Sequence, residues 1–287
     1  TLLVGGYSSD VRWDPQARSF LARVPGPVRR CIGYATSEDF VHWSRPETVL
    51  ARTADDPPDY EIYGMPVFRW EGLYLGLPWS FLGSGWEPLD TRLCVSRDGK
   101  RWQAVGGSAR FIPLGRPGDP DDCYAVAAAP IVVGDELVFY YMGAGFPHGA
   151  PYSQEGKIEA SVCRGRLRLD GFASLGCRFA SGGYLATHPL RFAGSRLVVN
   201  CDCRRGWLRA ELRDQADRPL PGFSEAQCDV VYTDSVRHAV TWQGRGDLGH
   251  LVGRPLRLRL RLGDGEIYSF GFADETMGAS PAGRRHP

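Results

Sequence analysis

The sequence predicts an all-β protein in which a β-propeller is followed by a β-sandwich or jelly roll. Three observations support this fold class. A hairpin motif is repeated, short apolar segments are separated by turn residues, and apolar and charged residues alternate strictly in the C-terminal half. Helical periodicity is nearly absent, and only residues 247–251 suggest one short helical turn.

The repeated motif is Ser-x-Asp-x-x-x-Trp, which occurs at residues 37–43 and again at residues 96–102. Each copy follows a short apolar segment and precedes another one. An Asp in a turn can accept hydrogen bonds from the backbone N–H groups that follow it, and the Trp can pack on the next strand. We therefore expect each copy to be a β-hairpin turn with a structural Asp, Asp39 in the first and Asp98 in the second.

Further hairpins surround these copies and give units of about four short antiparallel strands. The strands are expected at residues 11–13 and 19–24, with a turn near Asp14-Pro15; at 65–70 and 73–79, with a turn at Glu71-Gly72; and at 129–133 and 136–141, with a turn at Gly134-Asp135. Residues 157–163 would add a third strand to the last unit. Four-stranded units in series are typical of a propeller. Three units precede residue 165, so either N-terminal blades are missing or other segments complete the ring. We favour about two further blades on the N-terminal side.

The second half has a different pattern. Segments 196–203, 207–213 and 237–242 alternate, and residues 256–262 form a strict Leu-Arg repeat that predicts a strand with Leu inward and Arg outward. A last strand is expected at 267–272. The predicted domains are propeller blades over residues 1–165, a β-sandwich over 166–273, and a disordered tail rich in Gly and Pro over 274–287.

The net charge and the length of the apolar segments limit which classes of partner the protein is predicted to bind. The formal net charge is +1 and no long block of like charges occurs, which argues against nucleic acid as a partner. No segment approaches the roughly 20 apolar residues that span a bilayer, so no membrane partner is predicted. The pair Arg29-Arg30 is interpreted as solvated. The compartment and the oligomeric state stay open.

The eight cysteines form no C-x-x-C pair, and the sequence predicts neither a metal site nor a cofactor. Cys201 and Cys203 lie two residues apart in a predicted strand, so their side chains share a face. Strand geometry separates them by roughly 6.5–7 Å, too far for a relaxed disulfide. The cysteines are therefore interpreted as small buried apolar residues.

The Ser-x-Asp-x-x-x-Trp hairpins and the strand that begins at Pro130 resemble the five-bladed propellers of glycoside hydrolase families 32, 43 and 68. The second half adds segments similar to family-32-like bacterial hydrolases, namely residues 168–175, 206–212, 221–223 and 253–260. The resemblance covers residues 10–272. It implies a glycosidase that acts on β-fructosyl, arabinosyl or xylosyl linkages through carboxylates that project into the propeller funnel.

Three carboxylates are the catalytic candidates because they precede predicted innermost strands. The resemblance implies Glu61 as general acid, Asp10 as transition-state stabiliser and Asp122 as a sugar-binding or pKa-tuning group. The separation of the two key carboxyls, about 5–5.5 Å or 6.5–9.5 Å, would decide between retention and inversion. The alternative is structural: Asp10 and Asp122 would be turn or strand-edge residues, and Glu61 would bond a neighbouring strand.

Aromatic side chains favour sugar binding because their faces stack on the apolar C–H faces of sugar rings. The candidate substrate-binding residues are Tyr63, Trp79, Trp86, Tyr124 and His148. The alternative interpretation places the rings in the core and His148 in a surface loop.

The sequence departs from the family pattern, since neither the family-32 start motif nor an Arg-Asp-Pro triplet occurs. A nucleophile on the first blade would then lie upstream of Thr1. A glycoside hydrolase is favoured, and two other functions stay open. One is a non-catalytic carbohydrate-binding module. The other is a mannosyl-type glycoside phosphorylase, with Arg69, Arg92 and His148 as conceivable phosphate ligands.

Overall fold

A computed structural model describes residues 10–14, 19–25, 30–148 and 160–274, and in the first two ranges it defines strand pairing only. The turn predicted at Asp14-Pro15 lies partly outside these residues, as does the start of the strand predicted at 157–163. The tail predicted at 274–287 lies outside them except for its first residue. Within the described residues the protein is all-β, with strands in several sheets and two short 3₁₀ helices.

The chain divides into two compact units. The first comprises the described residues up to 131 together with 138–166, and the second comprises 132–137 and the described residues from 167 onward. The chain passes from the first unit to the second between residues 131 and 132 and returns between residues 137 and 138. It crosses for the last time within the strand Ala160–Arg168, between Arg166 and Leu167.

Fifteen strands precede this crossing or contain it. They are β1 Asp10–Asp14, β2 Ser19–Pro25, β3 Ile32–Ser37, β4 Glu47–Leu50, β5 Tyr60–Gly64, β6 Val67–Trp70, β7 Leu73–Gly76, β8 Trp79–Leu82, β9 Leu89–Thr91, β10 Cys94–Ser96, β11 Gln103–Ala104, β12 Tyr124–Ala127, β13 Ile131–Val133, β14 Glu136–Ala144 and β15 Ala160–Arg168.

Seven strands follow. They are β16 Leu175–Cys177, β17 Gly183–Ala186, β18 Arg196–Asp202, β19 Trp207–Arg213, β20 Asp234–Ala239, β21 Arg257–Gly263 and β22 Gly265–Ala273. The 3₁₀ helices are Glu225–Gln227 and Gly249–Leu251. The second of them confirms the single helical turn predicted at residues 247–251.

Two four-stranded antiparallel sheets follow the predicted unit. One has the order β1-β2-β3-β4, and the other has the order β11-β10-β7-β6. The hairpin predicted at Glu71-Gly72 is confirmed between β6 and β7. Both turn residues have positive φ, 44° and 80°, which is the backbone that a tight two-residue hairpin requires.

A further sheet runs β13-β14-β12-β9-β8-β5, with β15 also paired to β14. Its strands β5, β8 and β9 continue directly from or into β6, β7 and β10, so three successive stretches of chain each break once and contribute to two sheets. Pro66 and Pro78 lie at two of the breaks. One backbone hydrogen bond joins neighbouring segments at each of these two breaks. Leu77 N–H donates to the Pro66 carbonyl, and Arg92 N–H donates to the Pro78 carbonyl, both at 2.9 Å.

The repeated motif forms the same hydrogen-bond network twice. The Asp98 carboxylate accepts from the backbone N–H groups of Lys100 (2.9 Å) and Arg101 (2.8 Å) and from the Ser96 hydroxyl (3.0 Å). The Trp102 indole N–H donates to the Gly99 carbonyl at 3.1 Å. In the first copy, Asp39 accepts from the corresponding backbone groups at 2.8 and 2.7 Å. The structural role predicted for both Asp residues is confirmed.

We expect Asp98→Ala to lower the free energy of unfolding by about 1 kcal/mol, because two backbone donors in the turn lose their acceptor. These same N–H bonds, first that of Arg101, lower the pKa of Asp98 to about 2. A folded-state pKa below the unfolded one means that the contribution is present above about pH 4 and fades as the pH falls toward 2. Urea unfolding at pH 7 and at low pH should therefore show a difference between variant and wild type that shrinks on acidification.

The control for Asp98→Ala is Arg97→Ala, which removes an exposed side chain from the same turn. It should leave the unfolding midpoint nearly unchanged at both pH values. Equal midpoints for Asp98→Ala and wild type at pH 7 would contradict the proposed stabilisation.

In the second unit two antiparallel sheets, β16-β22-β18-β20 and β17-β21-β19, contribute to one buried cluster. The Leu-Arg repeat behaves as predicted, with Leu258, Leu260 and Leu262 buried in that cluster and the arginines between them partly exposed. Trp242 is buried as well, and its indole N–H donates to the Ala210 carbonyl of β19 at 3.0 Å.

All eight cysteines lie in the described residues as free thiols. Six of them are buried, as the sequence predicts, and Cys163 and Cys177 are partly exposed.

Candidate functional site

Strand β5 presents Glu61 and Tyr63 on one face, because side chains two residues apart in a strand point the same way. In the antiparallel pairing, Glu61 lies opposite Phe81 of β8, and Phe81 lies opposite Leu89 of β9. This face therefore combines a carboxylate with a row of apolar and aromatic side chains. We call it the Glu61 face.

An arginine from the segment before β3 binds the carboxylate. Arg30 Nη1 donates to Glu61 Oε2 at 2.8 Å, and the two side chains are 40% and 20% exposed. The Arg30 guanidinium carbon also lies 4.7 Å from the ring centroid of Tyr63 and 5.4 Å from that of Phe81. Ile62 N–H donates to the Arg30 carbonyl, so backbone and side chain together fix this residue beside β5. The guanidinium is thus not merely solvated, as the sequence suggested, but pairs with Glu61.

His148 completes the group from a distant part of the chain. Its Nε2 lies 2.5 Å from the Tyr63 hydroxyl, and its ring centroid is 5.3 Å from that of Phe81 and 6.5 Å from that of Tyr124. Burial raises the pKa of Tyr124 well above its ordinary value, so this phenol stays protonated. Four of the eight predicted site residues, Glu61, Tyr63, Tyr124 and His148, are therefore brought together.

This arrangement can recognise a polyol. The carboxylate accepts hydrogen bonds and Arg30 donates them, and the partly exposed rings of Tyr63 and His148 can contact the C–H groups of a sugar, whereas Phe81 and Tyr124 are buried beneath them, as the alternative interpretation of the rings expected. Arg30 and Phe81 were not among the predicted site residues. Arg30 had no sequence signal beyond its position just before a strand, and Phe81 had only its place in an aromatic cluster with Trp79 and Trp86.

The opposite face of the same three strands holds a buried ion pair. Asp90 of β9 is 2% exposed, and it accepts from Arg110 Nε at 2.7 Å and from Arg92 Nε at 3.4 Å. The Arg92 guanidinium carbon lies 4.9 Å from the ring centroid of Tyr60. Sequence analysis did not single out Asp90, because nothing in its local sequence distinguishes a buried carboxylate from an exposed one.

The two predicted tryptophans have different surroundings. The Trp79 indole N–H donates to the Ala127 carbonyl at 3.0 Å, and the ring packs against the buried cluster that contains Phe81 and Tyr124. Trp86 is 55% exposed, in the loop between β8 and β9. Its carbonyl accepts from the Cys123 thiol at 3.2 Å, which ties that loop to the start of β12.

The predicted acid Asp122 lies in the loop before β12. Its Oδ2 accepts from Gly118 N–H at 2.7 Å, and its buried Oδ1 faces Gly145. Its neighbour Asp121 accepts from the Tyr141 hydroxyl at 2.8 Å. Among the described residues, no hydrogen bond or ion pair joins Asp122 to Glu61. The third predicted acid, Asp10, begins β1, and its side chain lies outside what the structure describes.

One further carboxylate precedes β5. The carbonyl of Asp59 accepts from Gly83 N–H at 3.3 Å, which keeps this residue beside the end of β8. A hydrogen bond from the Ser84 side chain lowers the pKa of the Asp59 carboxyl. Asp59 is therefore an ionised carboxylate two residues before Glu61 in the sequence, and it was not among the predicted site residues.

The described side chains contain no group of three or more His, Cys, Asp and Glu residues that could hold a metal ion. In the same part of the chain no helix has the length and apolar character needed to cross a bilayer.

No protein-family model and no curated protein sequence matches the chain. Solved structures with a similar arrangement include a glycoside hydrolase, at 16% identity and a TM-score of 0.42, over 56% of this chain and 45% of that one. A β-1,2-mannobiose phosphorylase from Listeria innocua has 18% identity and a TM-score of 0.40, over 58% and 42%. A GH32 β-fructofuranosidase from Bombyx mori has 10% identity and a TM-score of 0.39, over 94% and 80%.

The chain thus spans less than half the length of the first and second of these structures. At such values the likeness transfers neither a substrate nor a mechanism to this chain.

Proposed function

We propose that the protein is a glycoside hydrolase whose substrate binds at the Glu61 face. The observation that supports this is the grouping of Glu61 with Arg30, His148 and the rings of Tyr63 and Phe81. A carboxylate beside a cation and aromatic faces suits a sugar, whose ring has apolar C–H faces and a rim of hydroxyls.

The proposed domain architecture and substrate class follow the family resemblance. The first unit would be part of a five-bladed propeller of the family 32, 43 or 68 type, with residues 1–165 as its extent, and residues 166–273 would form a β-sandwich. The two four-stranded antiparallel sheets support the first part of this proposal, and the shared buried cluster of two sheets supports the second. The substrates would carry β-fructosyl, arabinosyl or xylosyl units.

In this proposal Glu61 is the general acid. Once bound substrate draws Arg30 Nη1 away from it, the Glu61 carboxylate takes up a proton from solvent and passes that proton to the leaving oxygen, while Arg30 and Tyr63 position the substrate. Asp10 would stabilise the transition state and Asp122 would act on the sugar or on the pKa of a neighbour. Asp59 is the described carboxylate nearest to Glu61 in sequence, and it is a candidate for the partner carboxylate that glycoside hydrolysis requires.

The test is to incubate the protein with aryl glycosides and oligosaccharides of β-fructose, arabinose and xylose, each with and without inorganic phosphate. Release of the free sugar at a rate independent of phosphate would support a hydrolase. Saturable binding in calorimetry without any turnover would instead indicate a binding module. Neither turnover nor binding with any of these sugars would sink the proposal.

A glycoside phosphorylase is the second candidate, and the Arg30 guanidinium, with His148 against the same tyrosine, favours it. Arg30 and His148 both contact Tyr63, and an arginine beside a histidine can hold a phosphate. The arginines considered from the sequence are engaged differently, since Arg69 stacks on Tyr74 and Arg92 pairs with Asp90. Turnover that requires phosphate and yields a sugar 1-phosphate would select this function over hydrolysis.

A further inference from the structure

The second unit contains a groove of about 600 Å³ on the outer face of the sheet β17-β21-β19. Six of its lining residues carry the argument, namely Trp207, Arg209, Glu211, Glu225, Tyr232 and Arg261. Its volume lies in the range of small-ligand sites, which is about 300–1,000 Å³. All of its lining residues belong to the second unit, so this groove is distinct from the Glu61 face.

The alternation of β19 and β21 builds the groove. In both strands the leucines and alanine point into the core, and the residues between them point outward. Pairing sets Arg261 between Tyr184 of β17 and Arg209 of β19. The outer face of the sheet is therefore polar and aromatic at the positions where its inner face is fully apolar.

The indole of Trp207 packs closely against two glycines, Gly263 and Gly182. Trp207 pairs with Gly263, and a Cβ atom at Gly263 would come within 2.7 Å of the indole. A Cβ at Gly182 would approach the same ring to 3.0 Å. Gly182 also has a φ of +79°, which glycine adopts without strain. Two glycines thus leave room for the ring against the backbone.

Side chains that donate and side chains that accept hydrogen bonds both lie beside this ring. Arg261 Nη1 donates to Glu225 Oε1 at 2.9 Å, and its guanidinium carbon lies 5.2 Å from the ring centroids of both Trp207 and Tyr184. Glu211 Oε2 accepts from Glu225 N–H at 3.1 Å, which holds the 3₁₀ helix Glu225–Gln227 over the sheet. Side chains held in this way lose little further entropy when a ligand binds.

Both arginines of the lining already donate hydrogen bonds within the protein, Arg261 to the Glu225 carboxylate and Arg209 to the backbone carbonyls of Glu225 and Cys228. The lining glutamate Glu211 is paired with Arg213, which lies outside the lining. An anionic ligand would therefore have to displace these existing bonds. Tyr232, which is 67% exposed, adds a second ring at the rim. An aromatic platform that offers both donors and acceptors, and whose arginines already have partners, fits a neutral polyol with apolar C–H faces. It fits a nucleic acid or an acidic polymer poorly.

We propose that this groove is a second carbohydrate site, which binds a neutral saccharide by stacking on Trp207 and Tyr232. The site is non-catalytic and does not depend on the activity proposed for the Glu61 face. Binding at the groove should therefore persist in Glu61→Gln. Conversely, the hydrolysis of a small aryl glycoside should persist when the groove is altered.

The experiment is calorimetry of the full chain, in the Glu61→Gln background, with neutral xylo-, arabino-, fructo-, manno- and galacto-oligosaccharides and with oligogalacturonate as the acidic probe. We expect one neutral series to bind with little dependence on salt. Adding Tyr232→Ala or Trp207→Ala should weaken that binding about tenfold or more, a loss of roughly 1.4 kcal/mol. Tyr232 is exposed, so its variant keeps the test valid if Trp207→Ala fails to fold.

The matched control is Leu175→Ala, which removes an exposed apolar side chain from β16 in the other sheet of the unit. It should bind like the parent protein. Three results would overturn the proposal: no binding of any neutral oligosaccharide, binding unaffected by Tyr232→Ala and a folded Trp207→Ala, or stronger and salt-dependent binding of oligogalacturonate.

Discussion

Replacing Glu61 with glutamine is expected to lower kcat/KM for an unactivated glycoside about a thousandfold, the middle of the range for the loss of a general acid. Glutamine has nearly the same shape, and its amide oxygen can still accept from Arg30. The arrangement of Tyr63 and Phe81 should therefore survive, while the negative charge of Glu61 and its ability to transfer a proton are lost. Steady-state kinetics on the best substrate of the panel measures the effect.

A change of leaving group separates the possible roles of Glu61. A dinitrophenyl glycoside needs little protonation of its leaving oxygen, so Glu61→Gln should cleave it at nearly the wild-type rate if Glu61 is the acid. Equal losses on activated and unactivated substrates would instead indicate a nucleophile or base. Wild-type kinetics on both would exclude Glu61 from the chemistry.

The control for this variant is Glu38→Gln. Glu38 is exposed within the first Ser-x-Asp-x-x-x-Trp turn, and the same charge is removed there without touching the Glu61 face. It should retain the wild-type kcat/KM on both classes of substrate.

Local pattern predicted the part of the site that lies within one strand. The period of two puts Glu61 and Tyr63 on the same face of β5. The local pattern could not predict the partners of these residues, because Arg30 lies 31 residues before Glu61 and His148 lies 85 residues after Tyr63. Contacts at such separations depend on how sheets are arranged, and a single sequence carries little information on that.

The same limit applies to the strands. The turn at Glu71-Gly72 was predictable because its backbone conformation favours a specific residue type. The strand predicted at residues 73–79 instead breaks after Gly76 and resumes at Trp79 in another sheet. Apolar residues continue through this break, and Pro78 alone marks it. The Leu-Arg repeat of β21 was correctly interpreted because one face is buried and the other is not, which makes its register unambiguous.

The opposite face of β5, β8 and β9 should respond to substitution in the reverse way. Asp90→Ala removes a buried carboxylate and leaves the guanidinium of Arg92, only 18% exposed, without this partner. Breaking a buried ion pair from one side costs about 3–5 kcal/mol. We expect the lower end, about 3 kcal/mol, because Arg110 is 45% exposed and can be solvated. The melting temperature should then fall by roughly 6–12 °C.

The contrast between the two faces is the sharper test. Asp90→Ala should lower the melting temperature while leaving kcat/KM of the folded fraction within a few-fold of wild type. Glu61→Gln should instead lower kcat/KM and leave the melting temperature nearly unchanged. Asp55→Asn, at an exposed loop position, should change neither quantity. A thousandfold loss of activity in a folded Asp90→Ala would mean that the chemistry uses the buried carboxylate. The site would then have to be assigned to the face that carries Asp90, because the two side chains point to opposite sides of one sheet.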